Sequence, residues 1–167
     1  MSTALPTKPR SLSQKSQVAI IASTYNEEFT DALVKNTQEE LSELIPNAQI
    51  ELIRVPGAFE IPVTVETLIR QSKPSCVITL GLIIRGQTAH GDMVAESVTN
   101  TLQQIAVNHA IPVIHEVVLV SDEKQAYARC IGSKLNRGRE AARAAASILD
   151  TLNNLNRTSG RVFPSNV

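Results

Sequence analysis

Cys76-Val77-Ile78-Thr79-Leu80-Gly81-Leu82-Ile83-Ile84 runs directly into Arg85-Gly86-Gln87-Thr88-Ala89-His90-Gly91-Asp92, and a helical pattern follows from Met93 to His109. The apolar run reads as a buried strand and the last segment as a helix. Between them, Gly, Thr, His and Asp are concentrated where a parallel strand ends and a helix begins. Open α/β sheets place their ligands at that point. Backbone N–H groups at a helix start attract anions, and a histidine exchanges protons near neutral pH. The loop is a site candidate on its residue types alone.

The same alternation extends outward in both directions. Val18-Ala19-Ile20-Ile21-Ala22 is a short apolar strand, after which Phe29, Leu33, Thr37, Leu41 and Leu44 recur at helical spacing until Pro46-Asn47. Ile50 to Val55 alternates like a strand and ends at Pro56-Gly57, and Ile61 to Gln71 reads as a helix with Val65, Leu68 and Ile69 on one face. Ile111 to Val120 is a fourth strand with Pro112 near its start. Asp122 and Gln125 resemble a helix-capping pair. A final helix over Asn136–Leu155 would bury Ala141, Ala144, Ala145, Ile148, Leu149 and Leu152. Strand and helix alternate throughout, which predicts an α/β three-layer sandwich, a four-stranded mostly parallel sheet with helices on both faces.

With 167 residues, the chain fits one domain with a normal core, expected over residues 18–155. Residues 1–17 carry Lys8, Arg10 and Lys15 with no acid and read as a disordered basic arm. Residues 156–167, with Gly160 and Pro164, read as a loose tail. Sixteen basic and sixteen acidic residues give zero net charge, so composition offers no reason for a nucleic-acid partner. No stretch resembles a signal peptide's apolar core or reaches transmembrane length, so no membrane partner and a cytoplasmic location are expected. Cys76 and Cys130 are too few for a disulfide framework and lack metal-ligand spacing, and Cys76 reads as a small buried apolar residue.

In a parallel sheet the loops after successive strands share one edge, where they can converge. Here they supply Ser23-Thr24-Tyr25-Asn26, then Pro56-Gly57-Ala58-Phe59-Glu60-Ile61-Pro62, then Arg85 to His90, and Val120-Ser121-Asp122 with Arg129 beyond. Together they offer a stacking ring, a carboxylate, an anion-binding turn, a histidine and an arginine. Taken singly, each has a plainer role. Tyr25 could cover the sheet edge, and Glu60 could be a solvated carboxylate at a helix start. Gly57 and Gly86 could serve tight turns only, His90 could be structural or merely exposed, and Arg129 could be half of a surface ion pair. There is no P-loop, GxGxxG fingerprint, serine elbow or zinc motif.

In combination, these segments resemble the lumazine synthase family. The resemblance rests on Val55-Pro56-Gly57-Ala58-Phe59-Glu60-Ile61-Pro62 and Gly81-Leu82-Ile83-Ile84-Arg85-Gly86-Gln87-Thr88-Ala89-His90. It continues through Ile111-Pro112-Val113-Ile114, Gln125-Ala126-Tyr127-Ala128-Arg129 and Asn136-Arg137-Gly138, in order, over residues 18–152. It implies a flavodoxin-like fold. The implied reaction condenses 5-amino-6-ribitylaminouracil with 3,4-dihydroxy-2-butanone 4-phosphate to 6,7-dimethyl-8-ribityllumazine, phosphate and water, a step of riboflavin biosynthesis. No metal and no organic cofactor are implied.

The resemblance also implies roles. Tyr25 stacks on the pyrimidinedione, and Ala58, Phe59 and Glu60 hydrogen-bond the ribityl chain. Leu82, Ile83 and Ile84 wall the ring, Gln87 and Thr88 donate to phosphate, and His90 is the general acid/base. Arg129, as phosphate clamp, and His115 reach the site from a neighbouring subunit, so the partners are small molecules and further copies of the chain. Pentamers are the implied ring, with larger shells left open. Four positions depart from the family pattern, and Ile131-Gly132-Ser133-Lys134-Leu135 stands where Gly-Thr-Lys-Ala-Gly is usual. Gly91 and Met93 replace aromatics beside His90, predicting looser packing there, with Asp92 kept as a cap or as an orienting partner of the histidine. His115-Glu116 stands where Phe-Gly is common, and the two could simply face each other at a sheet edge. These departures motivate an alternative, a non-catalytic lumazine- or flavin-binding or shell-forming paralogue. The retention of Tyr25, Glu60, Thr88, His90 and Arg129 weighs against it. An archaeal-type riboflavin synthase shares the fold but is less like these motifs.

Overall fold

Val18, Ile20 and Ala22 alternate with Ala19 and Ile21, so the first strand has no polar face to turn to water. In the computed structural model, which describes residues 4–158, both faces of that strand are covered. β1 (Ser16–Ser23) lies inside a four-stranded sheet of order β2-β1-β3-β4, with β2 at Ala48–Val55, β3 at Cys76–Ile84 and β4 at Val113–Val120. Every pairing is parallel, so the sheet is wholly rather than mostly parallel. On one face Val18, Ile20, Ile78 and Leu80 pack under α1 (Glu27–Leu44), α4 (Glu123–Cys130) and α5 (Arg137–Thr158). On the other, Ile21 and Val77 pack under α2 (Ile61–Ser72) and α3 (His90–His109). Three layers result because an apolar strand must be covered on both sides. Cys76 is fully buried, where it serves as a small apolar residue.

Two differences from the sequence pattern have local causes. α3 begins at His90 rather than Met93, because Met93 N–H already donates to Ala89 O at 3.1 Å. His90 is thereby the first helical residue. α5 buries Ala141, Ala142, Ala145, Ala146 and Leu149, whereas Ala144 is exposed and Ile148 and Leu152 are half-buried. Its rotation is set at its first turn, where Gly138 meets α1 and its carbonyl accepts from Thr37 Oγ1 at 3.1 Å. Asn136 caps the helix: its side chain accepts from Arg139 N–H at 3.1 Å, and its Nδ2 donates to Cys130 O.

Residues 6–13, expected within a free arm, lie along α1 and α5. Leu12 is buried and its N–H donates to Leu44 O at 2.7 Å. Lys8 pairs with Glu43, Arg10 with Asp150 at 2.7 Å, and Arg143 donates to Pro6 O. Of the expected tail, residues 156–158 continue α5 and the rest lies outside the described residues. Among the described residues no helix is long and apolar enough to cross a membrane.

Candidate active site

Pro56-Gly57 ends β2 and Pro62 opens α2, leaving Ala58–Glu60 to turn as a single 3₁₀ step. Gly57 N–H donates to Glu60 Oε2 at 3.0 Å, folding the carboxylate back onto its own turn. A Cβ at Gly57 would stand only 3.0 Å from that oxygen, so a glycine permits the approach. The loop after β1 is tied to this turn by Thr24 N–H to Val55 O at 2.8 Å and Tyr25 N–H to Pro56 O at 3.1 Å. Asn26 takes a left-handed conformation (φ 59°), which Asn tolerates better than most residues, and its Nδ2 donates to Leu82 O at 2.9 Å. The loops after β1 and β2 and the end of β3 are thus locked together.

The result is a cleft of about 450 Å³ at the C-terminal edge of the sheet, between β1 and β3. That is the point where the strand order reverses, the favoured ligand position in such sheets. Tyr25, Asn26, Ala58, Phe59 and Glu60 line one side, and Leu82, Ile83, Ile84, Thr88, His90 and Gly91 the other. Tyr25 is 73% exposed and Phe59 62%, so their rings stand open to whatever covers the cleft.

Residues 15–153 match the family model described as 6,7-dimethyl-8-ribityllumazine synthase. The chain belongs to the 6,7-dimethyl-8-ribityllumazine synthase family. Proteins of that name from Stenotrophomonas maltophilia (strain R551-3) and Coxiella burnetii (strain Dugway 5J108-111) are similar to it. The first is 35% identical, covering 85% of this chain and 92% of its own, and the second is 34% identical, covering 80% and 89%. A third, from Xanthomonas oryzae pv. oryzae (strain PXO99A), is 36% identical and covers 80% and 88%.

Three residues suggested by the lumazine synthase resemblance lie off the cleft in this chain: Gln87, His115 and Arg129. Gln87 is exposed on the loop before α3, and Arg129 is half-buried in α4. His115, on β4, turns toward α3, where its Nε2 lies 3.0 Å from Thr99 Oγ1. Burial holds its pKa below the usual imidazole value, opposed by a hydrogen bond with its own backbone. Because strand side chains alternate, Glu116 turns to the opposite layer, and the suggested His115–Glu116 contact does not form.

Asp92 does not orient His90: it accepts two hydrogen bonds from Arg85 instead, and it provides no N-cap. Nor does Gly91 loosen the packing. A Cβ there would sit 3.3 Å from Ile83 Cγ2, so the missing side chain lets the helix start settle onto β3. Asn26 and Asn136 stand in segments that residue order points to, but their side chains carry no assigned role there. An Asn at a turn is a visible signal, but its partner's identity is not.

Glu116 is the most perturbed carboxyl of this region. Burial pushes its pKa up to about 8 and Glu140 adds to the rise, while Arg137 and Arg129 pull it down. Arg137 Nε is 4.0 Å from the carboxylate, attracting it without donating, and is itself buried without a hydrogen bond. The folded state therefore holds the proton more firmly than the unfolded state, whose value is near 4.5. Stability from this group is fully present below about 4.5 and is lost as pH rises through about 8. Glu116→Gln, which stays neutral, is expected to be a few kcal/mol more stable than the parent at pH 8.5, since each tenfold is about 1.4 kcal/mol. At pH 4.5 the two should match. Urea denaturation at the two pH values checks this, and equal differences at both would refute it.

Proposed function

We propose that each active site is completed by two copies of the chain. The cleft of one holds the pyrimidinedione substrate, and Arg129 and His115 of the next close over the butanone phosphate. The reaction is the family's condensation of 5-amino-6-ribitylaminouracil with 3,4-dihydroxy-2-butanone 4-phosphate to 6,7-dimethyl-8-ribityllumazine, phosphate and water. The observation that carries this reading is the composition of the cleft. It unites an open aromatic ring, a carboxylate and a histidine, yet lacks the arginine that a phosphate substrate needs.

In this scheme Tyr25 offers its ring for offset stacking on the pyrimidinedione. Leu82, Ile83 and Ile84 wall the opposite side. Glu60 keeps one oxygen on Gly57 N–H and turns the other to a ribityl hydroxyl, with backbone groups of Ala58 and Phe59 beside it. Gln87 and Thr88 present donors to the phosphate, and the Arg129 guanidinium clamps it. The substrate amine attacks the ketone, so the protein need not supply a nucleophile. Imine formation, phosphate elimination and ring closure each move protons, and His90 is the group placed to carry them. Much of the acceleration comes from holding two small molecules in register. The chain works as a ring of copies, a pentamer, in the cytoplasm, where its two buried thiols stay reduced.

Complementation tests this reading. Wild-type protein should form the lumazine, followed by its absorbance, faster than the spontaneous condensation, while His90→Ala and Arg129→Ala alone should each be strongly impaired. After dissociation and co-assembly at equal amounts, about a quarter of the sites should regain both residues, as expected for a site shared between neighbours in a symmetric ring. No recovery from verified mixed rings would place both residues in one copy's site. Ligand binding without wild-type turnover would favour a binding paralogue.

A further inference from the structure

The loop between β3 and α3 carries the groups assigned above to phosphate binding and proton transfer, yet residues 85–90 are all exposed. Gly86 has nothing within 4 Å of the position that a Cβ would take. What holds this loop is found at its two ends. Arg85 N–H donates to Val120 O at 2.9 Å, which anchors the first loop residue to the end of β4. Its guanidinium then spans the loop, with Nε and Nη2 donating to Asp92 Oδ1 at 2.9 and 2.7 Å. Asp92 lies in the first turn of α3, one turn that also contains His90. Residues 85–92 therefore form a closed ring whose one noncovalent link is the Arg85–Asp92 pair, with Thr88 and His90 inside it.

The two side chains are 51% and 49% exposed, so the pair contributes little to stability. Its effect is on position. The imidazole rides on the first residue of α3, and the phosphate donors ride on the loop that the pair closes. Asp92 also neutralises Arg85, so this cation holds the loop and leaves the phosphate charge to Arg129.

We propose that Arg85 and Asp92 are positioning residues, a staple that sets His90 against Thr88. The proposal rests on the reading that His90 moves the reaction's protons. Neither residue touches the reacting atoms, so both act on kcat through the histidine. Arg85→Gln and Asp92→Asn are each expected to lower kcat by about tenfold or more, given that misplacement by an ångström costs about 10²-fold. KM for the butanone phosphate should rise only a few-fold, through Thr88 on the same loop, so the larger loss falls on kcat. The double variant should be no slower than the worse single, because both changes break one link.

The decisive arm uses His90→Ala, on which Asp92→Asn should have no further effect on kcat. Assembly size and thermal midpoint, measured for each variant, should match wild type. Multiplicative losses in the double variant, or a further loss on the His90→Ala background, would overturn the staple. So would His90→Ala being slow while both single variants keep wild-type kcat. If His90→Ala itself keeps wild-type kcat, the proton-transfer reading fails, and the staple with it.

Discussion

Replacing His90 with alanine is expected to lower turnover by about 10²–10⁴-fold, the range that a positioned proton-transfer group contributes. KM for either substrate should change only a few-fold. The imidazole lines the cleft but is exposed there, so it adds little ground-state contact area. The ring of Tyr25 and the apolar side from Leu82 to Ile84 line the cleft independently of it. The loss should appear in kcat and kcat/KM together, the signature of an interaction made in the transition state. Residual activity should survive, because holding the two substrates together accelerates their condensation without any proton shuttle. Steady-state kinetics at saturating levels of each substrate measures the split. A large rise in KM with kcat unchanged would make His90 a binding residue instead.

Gly138→Ala is expected to cost about 3 kcal/mol of stability, at the upper end for adding one methyl to a packed contact. A Cβ at this position would stand 2.5 Å from Leu33 O and 3.1 Å from both Asn36 Cβ and Thr37 Oγ1. The first of these is backbone and cannot rotate away. Thr37 is committed as well, its hydroxyl bonding with Leu33 O at 2.8 Å and Gly138 O at 3.1 Å. α1 and α5 must therefore move apart, which loosens Ala141, Ala142, Ala145 and Leu149 from Leu33, Leu41 and the sheet. Gly138 does not line the cleft, so kcat per assembled molecule should fall far less than the denaturation midpoint. Urea unfolding at fixed protein concentration measures it. A loss under about 0.5 kcal/mol, the size of an ordinary surface change, would mean the helices are not in this contact.

Much of the site could be read from residue order. Tyr25, Phe59, Glu60, Thr88 and His90 each follow a strand, and parallel strands deliver their following loops to one edge. The family motifs around Glu60 and His90 then assigned chemistry to those loops. Other residues could not be read this way. Asp92 looked like a companion for His90, two positions away, but Arg85 reaches it across the loop. His115 and Glu116 are adjacent in sequence yet serve opposite layers, one meeting Thr99 and the other the field of Arg137 and Glu140. On α5, alanines stand on both sides of the expected stripe and do not mark which of them is buried, and Gly138 sets the helix's rotation through a contact with α1.

The four strands, the long helices between them, the three-layer arrangement, the family and the loops that build the cleft are legible in residue order alone. These follow from hydrophobic period, turn residues and chain order, which act over a few residues at a time. Only the tertiary structure decided which polar group meets which. Asn26 on Leu82, Arg85 on Asp92, His115 on Thr99 and the buried field around Glu116 each depend on the element packed across from the residue. That choice is set by the register of the sheet and the rotation of each helix, which no local pattern encodes.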